Sequence, residues 1–161
     1  MQKNALVVID IQNDITKNYR DIIGNINTAI DWAVDNGIPV VYIRHEALSE
    51  KARKFVPNTP GAELVPELKI VSGNIFTKNK GNALTSEGFS DFINDNGIEG
   101  FYLTGADATQ CVKSSCFNMR KTDYDVTVLS DCITSWDKKQ IPDMLHYYES
   151  KGSRVISSDA L

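Results

Sequence analysis

Hydrophobic residues follow two alternating patterns along this chain: short continuous runs, and longer segments in which they recur every three or four positions. The clearest run is Ala5–Ile9, an unbroken apolar stretch that leads into Asp10. Such a run is typical of a parallel strand that is buried on both faces. Further strands are predicted at residues 39–43, 74–77, 101–104, 126–129 and 154–156.

Amphipathic helices are predicted between these strands. In the first of them, Ile26, Ala29 and Ile30 recur at helical spacing. The first two helices each end at the same four-residue segment, Asp-Asn-Gly-Ile, at residues 35–38 and 95–98. Glycine in this position ends a helix and turns the chain into the next strand. The predicted helices cover residues 25–36, 86–94, 109–120 and 142–150.

Strands that alternate with helices predict an α/β fold, in which a parallel sheet carries helices on both faces. With 161 residues, the chain suits one domain that spans residues 1–161. The segment at 46–72 contains three prolines and is predicted to be an irregular excursion over the surface. In folds of this kind, functional groups gather where the strands end at their carboxyl edge.

Composition narrows the classes of function. The net charge of −4 lacks the basic footprint of a nucleic-acid-binding protein, so no nucleic-acid partner is expected. The apolar run at the N-terminus is too short for a membrane span or a signal segment, so we expect no membrane partner and a cytoplasmic location. Three cysteines without a CxxC spacing predict free thiols.

Three chemically active residues stand at three predicted strand ends: Asp10, Lys78 and Cys111. Cys111 lies in the first turn of a helix, where free N–H groups and the helix dipole are expected to lower the thiol pKa. Each residue alone has a structural interpretation: a turn residue, a surface charge like the neighbouring Lys80, or a small buried hydrophobic group. Their combination favours a catalytic site. Cys116 and Cys132 are predicted to be buried structural residues.

Four motifs resemble, in order, those of the isochorismatase-like cysteine hydrolases. These are the Asp-x-Gln segment at residues 10–12, Lys-x-x-x-Asn-Ala at 78–83, Gly-Ala-Asp-Ala-Thr-Gln-Cys-Val at 105–112, and Asp-Cys-Ile-Thr-Ser at 131–135. The resemblance implies a single Rossmann-like domain with six strands in the order 3-2-1-4-5-6. It also implies an Asp10–Lys78–Cys111 triad, and its spacing selects Lys78 over Lys80.

The resemblance implies further features of the site. The family has a cis peptide in the nucleophile loop, here between Ala106 and Asp107, and the N–H groups of Asp107 and Cys111 are expected to hold an oxyanion. Gln12 and Asn82 are candidate substrate-binding residues. The family commonly forms homo-oligomers, so a second copy of the chain is an expected partner.

The implied function is hydrolysis of a C–N bond in a small amide, carbamoyl or ureide compound through a thioester on Cys111. Asp10 would accept and return the proton, and Lys78 would stabilise charge. Nicotinamidases of this family bind zinc through an Asp-x-His and a second His. Here only His45 stands in the corresponding stretch and His146 lies on the last helix, so we predict no metal and no other cofactor. Arg44, Arg53 and Lys54 form a solvated face or, alternatively, attract a substrate carboxylate.

Departures from the family pattern bear on the choice of substrate. They are Ala108, Thr109, Ile15 and Leu84. Two other functions stay open on the same fold. A reactive Cys111 would also suit a thiol redox sensor, and a degenerate site would leave a non-catalytic, oligomeric binding protein.

Overall fold

The computed structural model describes residues 1–161, except for the side chain of Lys17. It contains one sheet of six strands in the order β3-β2-β1-β4-β5-β6, and all neighbouring pairs are parallel. This order confirms the one implied by the resemblance. The strands are β1 (Asn4–Ile9), β2 (Val40–His45), β3 (Ile75–Lys78), β4 (Gly100–Ala106), β5 (Asp125–Thr134) and β6 (Arg154–Ile156). The helices are α1 (Ile23–Asp35), α2 (Glu87–Asn96), α3 (Cys111–Lys121) and α4 (Ile141–Ser150).

The sheet divides the hydrophobic interior into two clusters, one on each face. Successive side chains of β1 alternate between them: Val7 and Ile9 join one cluster, whereas Leu6 and Val8 join the other. The first cluster includes buried residues of α2, α3 and α4, and the second includes those of α1. Helices therefore cover both faces, as predicted.

The repeated Asp-Asn-Gly-Ile segments end α1 and α2. Gly97 adopts a left-handed conformation with φ of 62° at the end of α2, and Gly37 has φ of 67° after α1. Glycine reaches this region without the steric cost of a Cβ atom. At the start of α2, the Ser86 side chain caps the helix by accepting a hydrogen bond from the N–H of Phe89.

The segment at 46–72 is irregular, as predicted, but it does not lie wholly at the surface. Val65 and Leu68 are buried and belong to the cluster that contains α1. Gln12 forms an isolated antiparallel bridge with Leu64, which fixes the segment beside the carboxyl end of β1. No helix among the described residues is both long and apolar enough to cross a membrane.

Candidate active site

Asp10 follows β1 directly and is almost fully buried, at 2% exposure. Its φ of 58° is uncommon for a residue other than glycine, although aspartate tolerates this region better than most. One carboxylate oxygen, Oδ2, lies 3.2 Å from the Nζ of Lys78. The other, Oδ1, is buried and has no hydrogen-bond partner among the described residues. Oδ1 is therefore an acceptor that is free to receive a proton.

Lys78 is the last residue of β3, and its side chain is buried, at 1% exposure. Its ammonium contacts three groups: Asp10 Oδ2 at 3.2 Å, Cys111 Sγ at 3.3 Å and His45 Nδ1 at 2.9 Å. An ammonium has three donors and no acceptor, so these contacts use its full capacity. Lys80 is exposed. Lys78, and not Lys80, therefore lies beside Asp10 and Cys111.

Cys111 is the first residue of α3 and is only partly exposed. The expected fall in its pKa is wrong. Burial, together with the negative charge of Asp10, raises the pKa of the thiol to about 12 against the opposing effect of Lys78. The position at a helix start is visible in the sequence, but the desolvation that outweighs it is not. The raised pKa favours the protonated thiol at neutral pH.

Burial also raises the pKa of the Asp10 carboxyl above its ordinary value, while Lys78, the Cys111 thiol and His45 act in the opposite direction. A carboxylate with raised basicity beside a protonated thiol is suited to accept that proton.

The peptide bond between Ala106, the last residue of β4, and Asp107, the first residue of the loop to α3, is cis. The Asp107 carboxylate accepts four hydrogen bonds. They come from the Tyr19 hydroxyl at 2.8 Å, the Thr109 N–H and hydroxyl at 2.8 Å, and the Trp136 N–H at 3.0 Å. Burial by itself raises the pKa of this carboxyl, but the hydrogen bonds outweigh it and the net pKa is lowered. Asp107 therefore joins the nucleophile loop to two other loops.

The two candidate substrate-binding residues, Gln12 and Asn82, form side-chain hydrogen bonds with the backbone. Gln12 is fully buried; its amide donates to the carbonyls of His45 and Ala62 and accepts from the N–H of His45. Asn82 caps a short turn by accepting from the N–H of Leu84. Both side chains therefore bond to the backbone, and their role in substrate binding stays a prediction.

His45, the last residue of β2, lies beside Lys78, whereas sequence reasoning rejected it as a zinc ligand and favoured a surface or loop-anchoring histidine. Ligand atoms of Asp10, His45 and Cys111 all lie within 4.8 Å of one another, which is a spacing that a metal ion could use. The Lys78 ammonium contacts all three of them. A divalent cation at that place would meet a positive charge in contact with each ligand, so the residues present do not fit a metal.

Arg44, a candidate for attracting a substrate carboxylate, bonds to the backbone. Its guanidinium donates two hydrogen bonds to the carbonyl of Ala62.

A cavity of about 340 Å³ adjoins the nucleophile loop through Tyr19 and Trp136, both of which bond to Asp107. Lys54 also lines this cavity. A larger cavity of about 710 Å³ lies at the opposite edge of the sheet and is lined by residues 1–4 and 36–39. None of Asp10, His45, Lys78 and Cys111 lines it.

A family model and several known proteins are similar to this chain. The family model described as the isochorismatase domain matches residues 4–160. A relative from Arabidopsis thaliana, named a probable inactive nicotinamidase, is 27% identical over 156 residues, which cover 81% of this chain and 80% of the relative.

Two solved structures are similar in fold. The N-carbamoylsarcosine amidase from Thermoplasma acidophilum superposes with a TM-score of 0.87 at 22% identity and covers 99% of both chains. The pyrazinamidase of Pyrococcus horikoshii, in complex with zinc, has a TM-score of 0.86 at 21% identity, over 96% of this chain and 99% of that one.

Proposed function

Because the chain belongs to the isochorismatase domain family, we propose that it is a cysteine hydrolase that cleaves a C–N bond in a small amide, carbamoyl or ureide compound. The observation that carries the proposal is the contact of the Lys78 ammonium with both the Asp10 carboxylate and the Cys111 sulfur. Residues from three distant stretches of chain thereby supply a base, a cation and a nucleophile to one point.

The reaction begins with transfer of the thiol proton from Cys111 to Asp10 as the sulfur attacks the carbonyl carbon. Lys78 stabilises the negative charge that appears on sulfur. The carbonyl oxygen becomes an oxyanion, to which the N–H groups of Asp107 and Cys111 donate. Neither N–H appears in a hydrogen bond among the described residues, so both are available.

Collapse of the tetrahedral intermediate breaks the C–N bond. Asp10 returns its proton to the leaving nitrogen, which departs as an amine or ammonia and leaves a thioester on Cys111. Asp10 then takes a proton from water as the water attacks the thioester. The products are the acid and the regenerated thiol, with Asp10 again giving up its proton.

The raised pKa of Cys111 also bears on the two alternatives. A thiol redox sensor needs an exposed sulfur that is a thiolate at rest, whereas burial raises the pKa of this thiol to about 12. A binding protein without catalysis has no need of a buried ammonium such as that of Lys78, which contacts Asp10, His45 and Cys111. Both alternatives are less well supported than a hydrolase that deprotonates its sulfur only during the reaction.

The names of the structural neighbours define a first panel of substrates: N-carbamoyl amino acids, aromatic carboxamides and simple ureides. We expect mass spectrometry of the intact protein, quenched during turnover, to show an acyl adduct that maps to Cys111. The Cys111→Ala variant should form no adduct and lose at least ~10³-fold in rate. Cys116→Ala, which changes a buried cysteine outside the site, should retain both. Amine release by Cys111→Ala at the rate of the unchanged protein would contradict the proposal.

A further inference from the structure

The Lys78 ammonium has a third partner that the proposed reaction does not use. His45 Nδ1 lies 2.9 Å from Lys78 Nζ, which makes it the shortest of the three contacts of the ammonium. Because an ammonium can only donate, Nδ1 must accept this hydrogen bond. The imidazole is therefore neutral, and its proton lies on Nε2.

The surroundings hold the His45 ring in this orientation. The backbone N–H of His45 donates to Gln12 Oε1 at 2.8 Å, and its carbonyl accepts from Gln12 Nε2 at 2.9 Å. The ring packs edge-on against Phe55, with centroids 5.3 Å apart. The N–H of Glu46 donates to the carbonyl of Lys78, so β2 and β3 stay paired where both side chains emerge. These contacts fix the acceptor in place before any substrate binds.

We propose that His45 is a positioning residue of the hydrolase site, whose neutral imidazole accepts from Lys78 and holds the ammonium between Asp10 and Cys111. The inference rests on the proposed function for its purpose, but the network itself can be tested without a substrate. Without the imidazole, one N–H of a buried ammonium would lose its partner, and the cation would be held less firmly beside the sulfur.

The charge state of His45 follows from the groups that face it. Lys78 on β3 and Asp10 after β1 are the charged neighbours, the Cys111 thiol on α3 is neutral at rest, and the excursion at 46–72 contributes the uncharged Phe55 ring. Burial and the Lys78 charge lower the pKa of His45, and Asp10 opposes them in part. Protonation would place a second positive charge against the ammonium, so the network opens only in acid.

The first test uses iodoacetamide, with peptide mass spectrometry to follow alkylation of Cys111 alone across pH. His45→Phe removes the acceptor, and we expect alkylation at neutral pH to slow about tenfold, equal to a shift of about one pH unit in the profile. His45→Asn places a carbonyl oxygen near the position of Nδ1 and should stay within about threefold of the unchanged protein. Thermal unfolding of both variants serves as the control for folding. Overlapping profiles for His45→Phe and the unchanged protein would overturn the proposal.

The second test needs no variant of the site. The chain has only two histidines, His45 and His146, so their imidazole ¹⁵N signals can be assigned with a His146→Gln variant. We expect His45 to be the Nε2–H tautomer and to stay neutral through the ordinary titration range near pH 6.5. A protonated ring at that pH, or the Nδ1–H tautomer, would refute the inference even if His45→Phe failed to fold.

The two tests separate this inference from the proposed function. An altered alkylation profile in a protein that turns over no substrate would support the network and count against the hydrolase. Normal turnover with an unchanged profile in His45→Phe would keep the hydrolase and remove His45 from it.

Discussion

At the scale of single residues, Asp107 has two roles, one for its backbone N–H and one for its side-chain carboxylate. Its N–H is proposed to face the oxyanion, while its carboxylate fixes the loop that carries that N–H. The partners come from far along the chain: Tyr19 follows β1, and Trp136 follows β5. Four hydrogen bonds fill the acceptor positions of the carboxylate. A change at this side chain should therefore affect stability as well as the shape of the site.

Asp107→Asn keeps the size of the side chain but removes its charge and places an N–H₂ group where two donors now point. We expect the free energy of unfolding at neutral pH to fall by about 1.5–3 kcal/mol, as for hydrogen bonds to a charged group. Urea denaturation measures it. Asp91→Asn, on the exposed face of α2, is the matched control and should change stability by less than ~0.5 kcal/mol.

The pH dependence of this loss has a defined sign. The pKa of the Asp107 carboxyl is lowered in the folded protein from its ordinary value of 3.8. Its stabilising contribution is therefore present above pH 3.8 and is lost as the pH falls through the lower folded value. The difference between Asp107→Asn and the unchanged protein should shrink in that acid range. A difference that stays constant down to the acid limit of folding would show that the charge is unimportant.

Only part of the candidate site can be predicted from the sequence, and the reason is physical. Asp10, Lys78 and Cys111 were found because each stands where a strand ends or a helix begins, and those positions can be recognised from local patterns. His45 and the Asp107 carboxylate act through partners that are distant in sequence, and no local pattern encodes such pairs. The direction of the Cys111 pKa shift was missed because it depends on burial by the surrounding chain.

At the scale of secondary structure, β4 approaches β1 closely at Gly105, near the start of the nucleophile loop. Gly105 has φ of 120°, and a Cβ atom there would overlap the carbonyl oxygen of Ile9. The pairing of β4 with β5 shifts register between Leu103 and Gly105, so β5 continues to Thr134. This shift explains why β5 is longer than the strand predicted at 126–129. Continuous apolar runs in the sequence locate strands. They do not reveal an irregularity after which two strands pair again in a new register.

Gly105→Ala should be severely destabilising, because both the conformation and the space exclude a methyl group. We expect a loss of at least ~3 kcal/mol in the free energy of unfolding, or failure to fold. Gly24→Ala is the control, for which we expect the free energy of unfolding to change in the opposite direction. Gly24 lies in α1 with nothing near the added methyl, so alanine should raise stability by about 0.5–1 kcal/mol. Chemical denaturation of both variants tests the pair, and a mild effect at Gly105 would contradict the packing argument.

At the scale of the whole molecule, the two hydrophobic clusters share one sheet. Because β1 contributes side chains to both, neither cluster can lose its packing without disturbing the strands that support the other. The proposed catalytic residues, Asp10, Lys78 and Cys111, lie at the carboxyl edge of the same sheet. The prediction that residues 1–161 form one domain is thus a prediction that the two faces unfold together.

Two natural cysteines make this cooperativity measurable without introducing probes. Cys116 is buried in the cluster with α2, α3 and α4, whereas Cys132 is buried in the cluster with α1. Brief alkylation pulses at increasing urea concentrations, with labelling quantified by peptide mass spectrometry, report each face separately. A domain that unfolds in two states exposes both thiols at one urea midpoint, coincident with the loss of helical circular dichroism. Separate midpoints for Cys116 and Cys132 would mean that the sheet can lose one helical layer and keep the other, and that the chain is not a single cooperative unit.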